Sequence, residues 1–205
     1  MKEQSVFKKR VYPLIFMFLI TAFFIAIVSS IYLSTKDIVE LNESLYLKEA
    51  VLYAAGLEIP ETAEEIDEKY RKRIEEVSTS GGVDPEYFKI FDESGETITG
   101  YAIFVRGPGL WGEIQAIMAY NKGLDTILGI EFIKQNETPG LGARITEKWF
   151  KEQFRGKSGP FRLVPEGTAD EPKELDAITG ATRTSNFVLD IVNKAEEKVT
   201  STVKG

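Results

Sequence analysis

Between Val11 and Thr35 the chain carries no charged side chain, and Leu, Ile, Phe and Val dominate these 25 residues. A run of about 20 apolar residues spans a bilayer core, so this stretch predicts a transmembrane helix with some tilt. Tyr12 and Tyr32 stand near its ends, where amphipathic rings prefer the interface, and Pro13 falls in the first turn, where its missing N–H does no harm. Beyond it, Ile38, Leu41, Leu45, Val51, Leu52 and Ala55 lie broadly on one side of a helix over 36–55, which Gly56 ends and Pro60 keeps from resuming. A charge-rich helix over 61–77 follows, with its acids leading and its bases trailing, as the helix dipole favours. Ser78–Asp84 reads as a loop.

The composition then changes. Tyr87–Phe91, Thr97–Val105, Glu113–Tyr120 and Asp125–Lys134 are rich in β-branched and aromatic residues. Glu93–Glu96, Gly107-Pro108-Gly109 and Asn121-Lys122-Gly123 separate them as turns, which predicts antiparallel hairpins. A helix over 147–154, a short strand over 161–164, an acidic loop over 166–174 and a last helix complete the pattern. Phe187, Val188, Ile191, Val192, Ala195 and Val199 share one face of that last helix. The fold class expected is α+β: one transmembrane helix, then a domain built on an antiparallel sheet flanked by helices. The segments read as a cytoplasmic N-terminus over 1–10, the membrane helix over 11–35, a helical connector over 36–80 and a ligand-binding domain over 81–205.

Charge orients this arrangement. Lys2, Lys8, Lys9 and Arg10 precede the apolar run, which places the N-terminus in the cytoplasm and the rest outside it by the positive-inside rule. A cleaved signal peptide is the competing reading. Its apolar region is typically about 7–15 residues, shorter than here, and Val28-Ser29-Ser30 is a poor cleavage site. Setting aside the four basic residues and one acid before the run leaves 21 basic against 31 acidic side chains, a net charge of −10. Such a domain is repelled by anionic lipid and unsuited to nucleic acid; protein partners are expected instead. The chain has no Cys and no His, which excludes disulfides, thiol nucleophiles, Ser-His-Asp triads and the common zinc and iron–sulfur sites. Redox chemistry here requires an organic cofactor. Neither a Gly-x-Gly-x-x-Gly after a strand nor a Walker motif is present.

The densest chemistry lies in Leu175–Ser185, LDAITGATRTS, at the start of the last helix. Thr182, Thr184 and Ser185 are placed to cap backbone N–H groups there. The same helix start holds a phosphate well, and a hydroxyl on that turn could carry one covalently, with the small Gly180-Ala181 pair leaving it accessible.

DAITGAT fits the pattern Asp-x-x-(Ser/Thr)-Gly-Ala-(Ser/Thr) and resembles the FMN-binding subunits of the Rnf and Nqr respiratory complexes. In that family a flavin transferase attaches FMN through its phosphate to the last hydroxyl of the motif, which by position is Thr182. Thr179 stands where the family often has Ser, and Gly180, Ala181 and Asp176 complete the motif; Asp176 either serves attachment or holds the loop by an Asx-type bond. Two further stretches resemble the same family. In Glu137-Thr138-Pro139-Gly140-Leu141-Gly142, the glycines would bring backbone amides to a planar ligand, and Glu137 and Thr138 would supply polar contacts; a plain turn after a strand is the alternative. In Gly107–Gly112, Leu110 and Trp111 would offer a flat apolar surface, unless Trp111 is an ordinary core residue. Trp149 is read as core. Arg183, Lys134 and Arg144 could each meet phosphate oxygen or stay solvated.

The resemblance implies a membrane-anchored flavoprotein with covalent threonyl FMN. In length it is closer to the G-type component of an ion-translocating ferredoxin:NAD+ oxidoreductase (Rnf) than to the C-type component of a Na+-translocating NADH:quinone oxidoreductase (Nqr). Its partners would be the other membrane subunits of the complex and, during maturation, the flavin transferase. No catalytic residues or metal ligands are expected of the chain itself. From a different class, the rival reading is a non-redox, membrane-tethered ligand-binding or scaffold domain.

Overall fold

A computed structural model describes residues 10–78 and 85–204. Lys2, Lys8 and Lys9, and the loop expected over 78–84 from residue 79 onward, lie outside the described residues. The chain divides into two compact units, Met1–Ser44 and Leu45–Gly205.

Helix α1 runs from Tyr12 to Ala54 over 43 residues, so the uncharged run and the amphipathic stretch after it are one element. No Pro or Gly between Leu14 and Ala55 interrupts the hydrogen-bond ladder. It is long and apolar enough to cross a membrane, and none of its most apolar window is buried by protein. The helix closes with a Schellman pair, Gly56 N–H to the Tyr53 carbonyl at 3.0 Å and Leu57 N–H to the Leu52 carbonyl at 2.9 Å.

Helix α2 (Ala63–Arg73) starts where the Thr62 hydroxyl accepts from Glu65 N–H. It stops four residues before the sequence pattern suggests. Ile74–Val77 is instead strand β1, pairing antiparallel with β2 (Tyr87–Phe91). Ile74 reaches the core there and Glu75 pairs with Lys89 at 2.8 Å across the strands, contacts that outweigh the helical preference of two glutamates.

The sheet continues through β3 (Ile98–Pro108), β4 (Glu113–Asn121) and β5 (Ile127–Lys134), all antiparallel and in chain order. Gly107 and Pro108, read from sequence as part of a turn, extend β3, opposite Ile114 and Glu113 of β4. The turn proper is Gly109–Gly112, closed by Gly109 N–H to the Gly112 carbonyl at 2.6 Å.

Strand β4 is covered on both faces, and its alternation divides the core. Ile114, Ala116, Met118 and Tyr120 point to one face, with Ile103, Phe132, Phe150 and the apolar stripe of the last helix. Ile117 and Ala119 point to the other, with Phe88, Ile90, Ile66, Tyr70, Ala50, Val51, Leu52, Ala54 and Ala55. Full burial of each such side chain contributes about 1.5–3 kcal/mol.

After β5 come a 3₁₀ turn (Gly142–Thr146) and helix α3 (Lys148–Glu152), which is shorter than the expected 147–154. Strand β6 (Arg162–Val164) pairs in parallel with β7 (Glu174–Asp176). Nothing in the local sequence pattern hints at β7. Its acidic neighbours read as loop, yet Glu174 and Leu175 are buried, with Glu174 held by Arg162 at 2.7 Å. Helix α4 (Thr182–Lys204) ends the described chain and packs Val188, Ile191, Val192, Ala195 and Val199 into the core.

Candidate functional site

The three stretches singled out in the sequence converge, and one carboxylate ties them. Glu137 is only 5% exposed. Its Oε1 accepts from the backbone N–H groups of Leu110 at 2.8 Å and Trp111 at 3.2 Å, and its Oε2 accepts from the Thr184 hydroxyl at 2.5 Å. The β3–β4 turn, the segment after β5 and the first turn of α4 are thereby fixed to each other by charge-assisted bonds. Both oxygens of Glu137 are engaged by the chain itself. Gly142 makes this closeness possible: a Cβ there would stand 2.6 Å from the Thr184 hydroxyl and 2.8 Å from Glu137 Oε2.

Thr184 and Ser185 are therefore not caps. The buried Thr184 holds Glu137, while the Ser185 hydroxyl accepts from Ile178 N–H at 3.0 Å and donates to the Ala181 carbonyl at 3.1 Å. These bonds bend the motif into a fixed turn. Ala181 supplies the first helical acceptor, for Ser185 N–H at 3.0 Å. Among the described residues nothing accepts from the N–H groups of Thr182, Arg183 or Thr184, so the helix start retains the orphan donors that attract an anion. Gly180 turns the chain into this helix with φ of +78°, a backbone setting that an L side chain rarely adopts.

Two adjoining cavities open here. The first, about 280 Å³, is lined by Leu110, Glu137, Thr138, Leu141 and the turn Gly180–Thr184, with Gly142 in its floor. The second, about 520 Å³, lies toward β6, against Val164, Glu166, Thr179 and Asn186. Gly180 and Thr182 border both. Thr182 is exposed, and its hydroxyl has no protein partner among the described residues.

Other expected residues stand at the rim or behind it. Trp111 is 68% exposed, which removes the core reading, and it joins Leu110 (40%) and Leu141 (42%) as an apolar rim beside the first cavity. Gly140 forms the exposed turn beneath Leu141, whose N–H meets the Thr138 carbonyl at 3.1 Å, and lines neither cavity. Asp176 also stands behind the cavities: its Oδ1 accepts from Thr168 and Ala169 N–H, each at 2.9 Å, a tie to the β6–β7 connection that spans eight and seven residues and is not the local Asx-type bond expected. Arg183 lines the first cavity and forms no ion pair among the described residues. Arg144 is committed elsewhere, to Glu166 at 2.8 Å and over the half-buried Trp149 ring at 5.1 Å. Lys134, at the end of β5, lines neither cavity.

The sequence reading missed the roles of Thr184, Ser185 and Glu166. A hydroxyl pair on the apolar face of α4 was the available signal for the first two, because a buried hydroxyl requires a partner. Glu166 had none. It accepts from Thr179 N–H at 2.7 Å and pairs with Arg144, and first the Arg144 contact, then the Thr179 amide, pull its carboxyl down to about 2.

Comparison with known proteins identifies the family. Residues 109–197 match the FMN-binding domain model. The chain is 30% identical over 155 residues to the G component of the ion-translocating oxidoreductase complex of Methanosarcina acetivorans, covering 76% of this chain and 73% of that one. It is 37% identical over 129 residues to the G component of the Na+-translocating ferredoxin:NAD+ oxidoreductase complex of Acetobacterium woodii, over 60% and 61% of the two chains. With the C component of the Na+-translocating NADH-quinone reductase of Vibrio vulnificus it shares 31% identity over 163 residues, again 76% of this chain but 60% of the relative. It thus spans less than two thirds of the Acetobacterium and Vibrio proteins. The crystal structure of Shewanella oneidensis NqrC has the same fold, with a TM-score of 0.64 and 23% identity over 72% of this chain and 88% of that one. By sequence and by the fold that carries its three stretches, the chain belongs to the FMN-binding RnfG/NqrC family.

Proposed function

We propose that this chain is a membrane-anchored electron carrier that holds FMN covalently, as a phosphoester on Thr182, within an Rnf-type ion-translocating oxidoreductase complex. The observation that carries the reading is Thr182 itself: an exposed hydroxyl with no protein partner among the described residues, on a helix turn with three free N–H groups, bordering two cavities. The residues present fit the cofactor. A phosphate on Thr182 meets the N–H groups of the α4 start and the positive end of its dipole. Arg183 adds a full charge, and Gly180 leaves room on the approach. Leu110, Leu141 and Trp111 offer apolar surface suited to a planar ring, in cavities of a size that ligand sites occupy.

Bound FMN supplies the redox chemistry, exchanging one or two electrons with neighbours. The chain's own residues bind, orient and expose. Glu137 holds the Leu110–Trp111 turn against α4, so the apolar rim and the anion site keep a fixed separation. As an electron carrier the chain needs no acid–base residue and no turnover of its own. A covalent link suits so open a site, because it abolishes dissociation. The anchor keeps the carrier at high effective concentration near the other membrane subunits. With the N-terminus inside, the flavin domain lies on the extracytoplasmic side, where a flavin transferase must meet it. The Rnf-type assignment follows the G components of Methanosarcina and Acetobacterium, and the C component of the Nqr type, matched at 31% identity in Vibrio, is the alternative.

The test is the intact mass of denatured protein from native membranes, followed by peptide mapping. The expected result is an increment of one FMN less one water on the peptide holding Thr182, absent from Thr182→Ala, with the fold retained. Unmodified, colourless protein from the native membrane would leave the tethered binding-module reading in its place.

A further inference from the structure

Along the face that joins β3 to α4 runs a second feature, separate from the cavities. Arg106, Pro108, Asp190, Ile191, Lys194 and Lys198 line a groove of about 150 Å³. Three cations face a single acid there. Among the described residues neither Arg106, Lys194 nor Lys198 forms an ion pair, although acids outnumber bases in the chain by 32 to 25. The cations also crowd one another. Lys198 donates to the Phe104 carbonyl at 2.7 Å, and partial burial, then the nearby Arg106, hold its ammonium below the usual lysine value. The groove is stiff, because β3 and α4 touch along it: a Cβ on Gly107 would stand 2.6 Å from the Ile191 side chain.

The strip leads to the flavin site along both elements. Pro108 lies two residues before Leu110, and Arg183 stands about 22 Å along α4 from Lys198 at 1.5 Å per residue. That length suits one side of a standard protein interface, about 800 Å².

We propose that Arg106, Lys194 and Lys198, continued by Arg183 at the cavity mouth, form the docking face for an acidic surface patch on a partner protein. The inference rests on the electron-carrier reading, since docking here would bring the partner to the apolar rim around Leu110 and Trp111. A protein is favoured over a bilayer by range. A bounded patch feels only charges within a Debye length of about 10 Å, whereas an extended anionic plane also meets the acid excess of the rest of the domain.

The experiment is amine footprinting of the full chain with an acetylating reagent, in native membranes and after isolation in detergent. A zero-length carbodiimide coupling is run in parallel. Burial beneath a partner should slow acetylation of Lys194 and Lys198 in membranes, while the exposed Lys122 reacts equally in both. The carbodiimide should join Lys194 or Lys198 to an Asp or Glu of another protein, and Lys194→Glu with Lys198→Glu should remove that product. Equal rates in membranes and detergent would overturn the proposal. So would protection that persists in phosphatidylglycerol vesicles containing this chain alone, which would make lipid the occupant. The Thr182 peptide in the same digest reports flavin separately: a bare threonine with protected lysines defeats the carrier reading and leaves the docking face standing.

Discussion

Removing the Glu137 carboxylate should have a larger effect than its single position suggests. In Glu137→Ala, two backbone N–H groups and the Thr184 hydroxyl lose their acceptor together, in a place where Glu137 is 5% and Thr184 2% exposed. A hydrogen bond to a charged group contributes about 1.5–3 kcal/mol, but three that share one carboxylate are not additive. Each buried donor left without an acceptor costs about 1–3 kcal/mol, and three that share one site come to about 3–5 kcal/mol for the alanine variant. For a unit of about 160 residues, each kcal/mol moves the melting temperature by about 2–4 °C, so a fall of about 6–20 °C is expected. Glu137→Gln keeps an acceptor for Leu110 and Trp111 N–H and should lose only about 1–2 kcal/mol. The assay is thermal unfolding of the full chain in detergent, followed by far-UV circular dichroism, with Thr182 flavin occupancy read on the same samples. Occupancy should fall in the order wild type, Gln, Ala. An alanine variant within about 1 kcal/mol of wild type, or a glutamine variant as damaged as the alanine one, would refute the account of Glu137 as the tie.

Gly142→Ala places a methyl against Glu137 Oε2 and the Thr184 hydroxyl, and should cost about 1–3 kcal/mol with reduced flavin loading, measured by the same melts and by mass. Trp111→Ala should change stability by less than about 0.5 kcal/mol, since the ring is largely solvated, and leave attachment intact while shifting the bound flavin's absorbance spectrum; an unchanged spectrum would detach Trp111 from the site. Acid should loosen the motif. Glu166 has a folded pKa of about 2, below the unfolded glutamate value of about 4.3, so its stabilisation is full above about pH 5 and disappears as pH falls toward 2. The melting-temperature gap between wild type and Glu166→Gln should close over that window; a gap unchanged at pH 2.5 would contradict the assigned pairing with Arg144 and Thr179.

Legibility in the sequence followed locality. The four hairpin-forming strands showed through their β-branched and aromatic residues and short turns, and the core stripe of α4 through its helical spacing. Ile74–Val77 did not, because a four-residue edge strand with two central glutamates has no pattern of its own, and only pairing with β2 defines it. The β6–β7 pair was equally hidden: parallel pairing across Arg162 and Glu174 is set by tertiary contact rather than by either segment. At the site, Thr182 and Gly180 stood out as motif residues. What Glu137 does was unreadable, since its partners lie 26, 27 and 47 residues away. Asp176 showed the converse. Its motif position suggested ligand chemistry, and the structure gives it two backbone amides of a loop eight and seven residues earlier.

The bond between Glu137 and Thr184 also sets a timetable for biogenesis. Helix α4, which carries both Thr182 and five of the side chains that seal one face of the sheet, is the last described element to leave the ribosome. Until it docks, strands β3–β5 expose Ile103, Met118 and Phe132 on one side, and no cavity exists to receive a cofactor. Emergence of α4, closure of the core and formation of the cavity are thus one event. A chain truncated ahead of Ile178 would be held back by quality control as an aggregation-prone sheet, and it would never compete for cofactor.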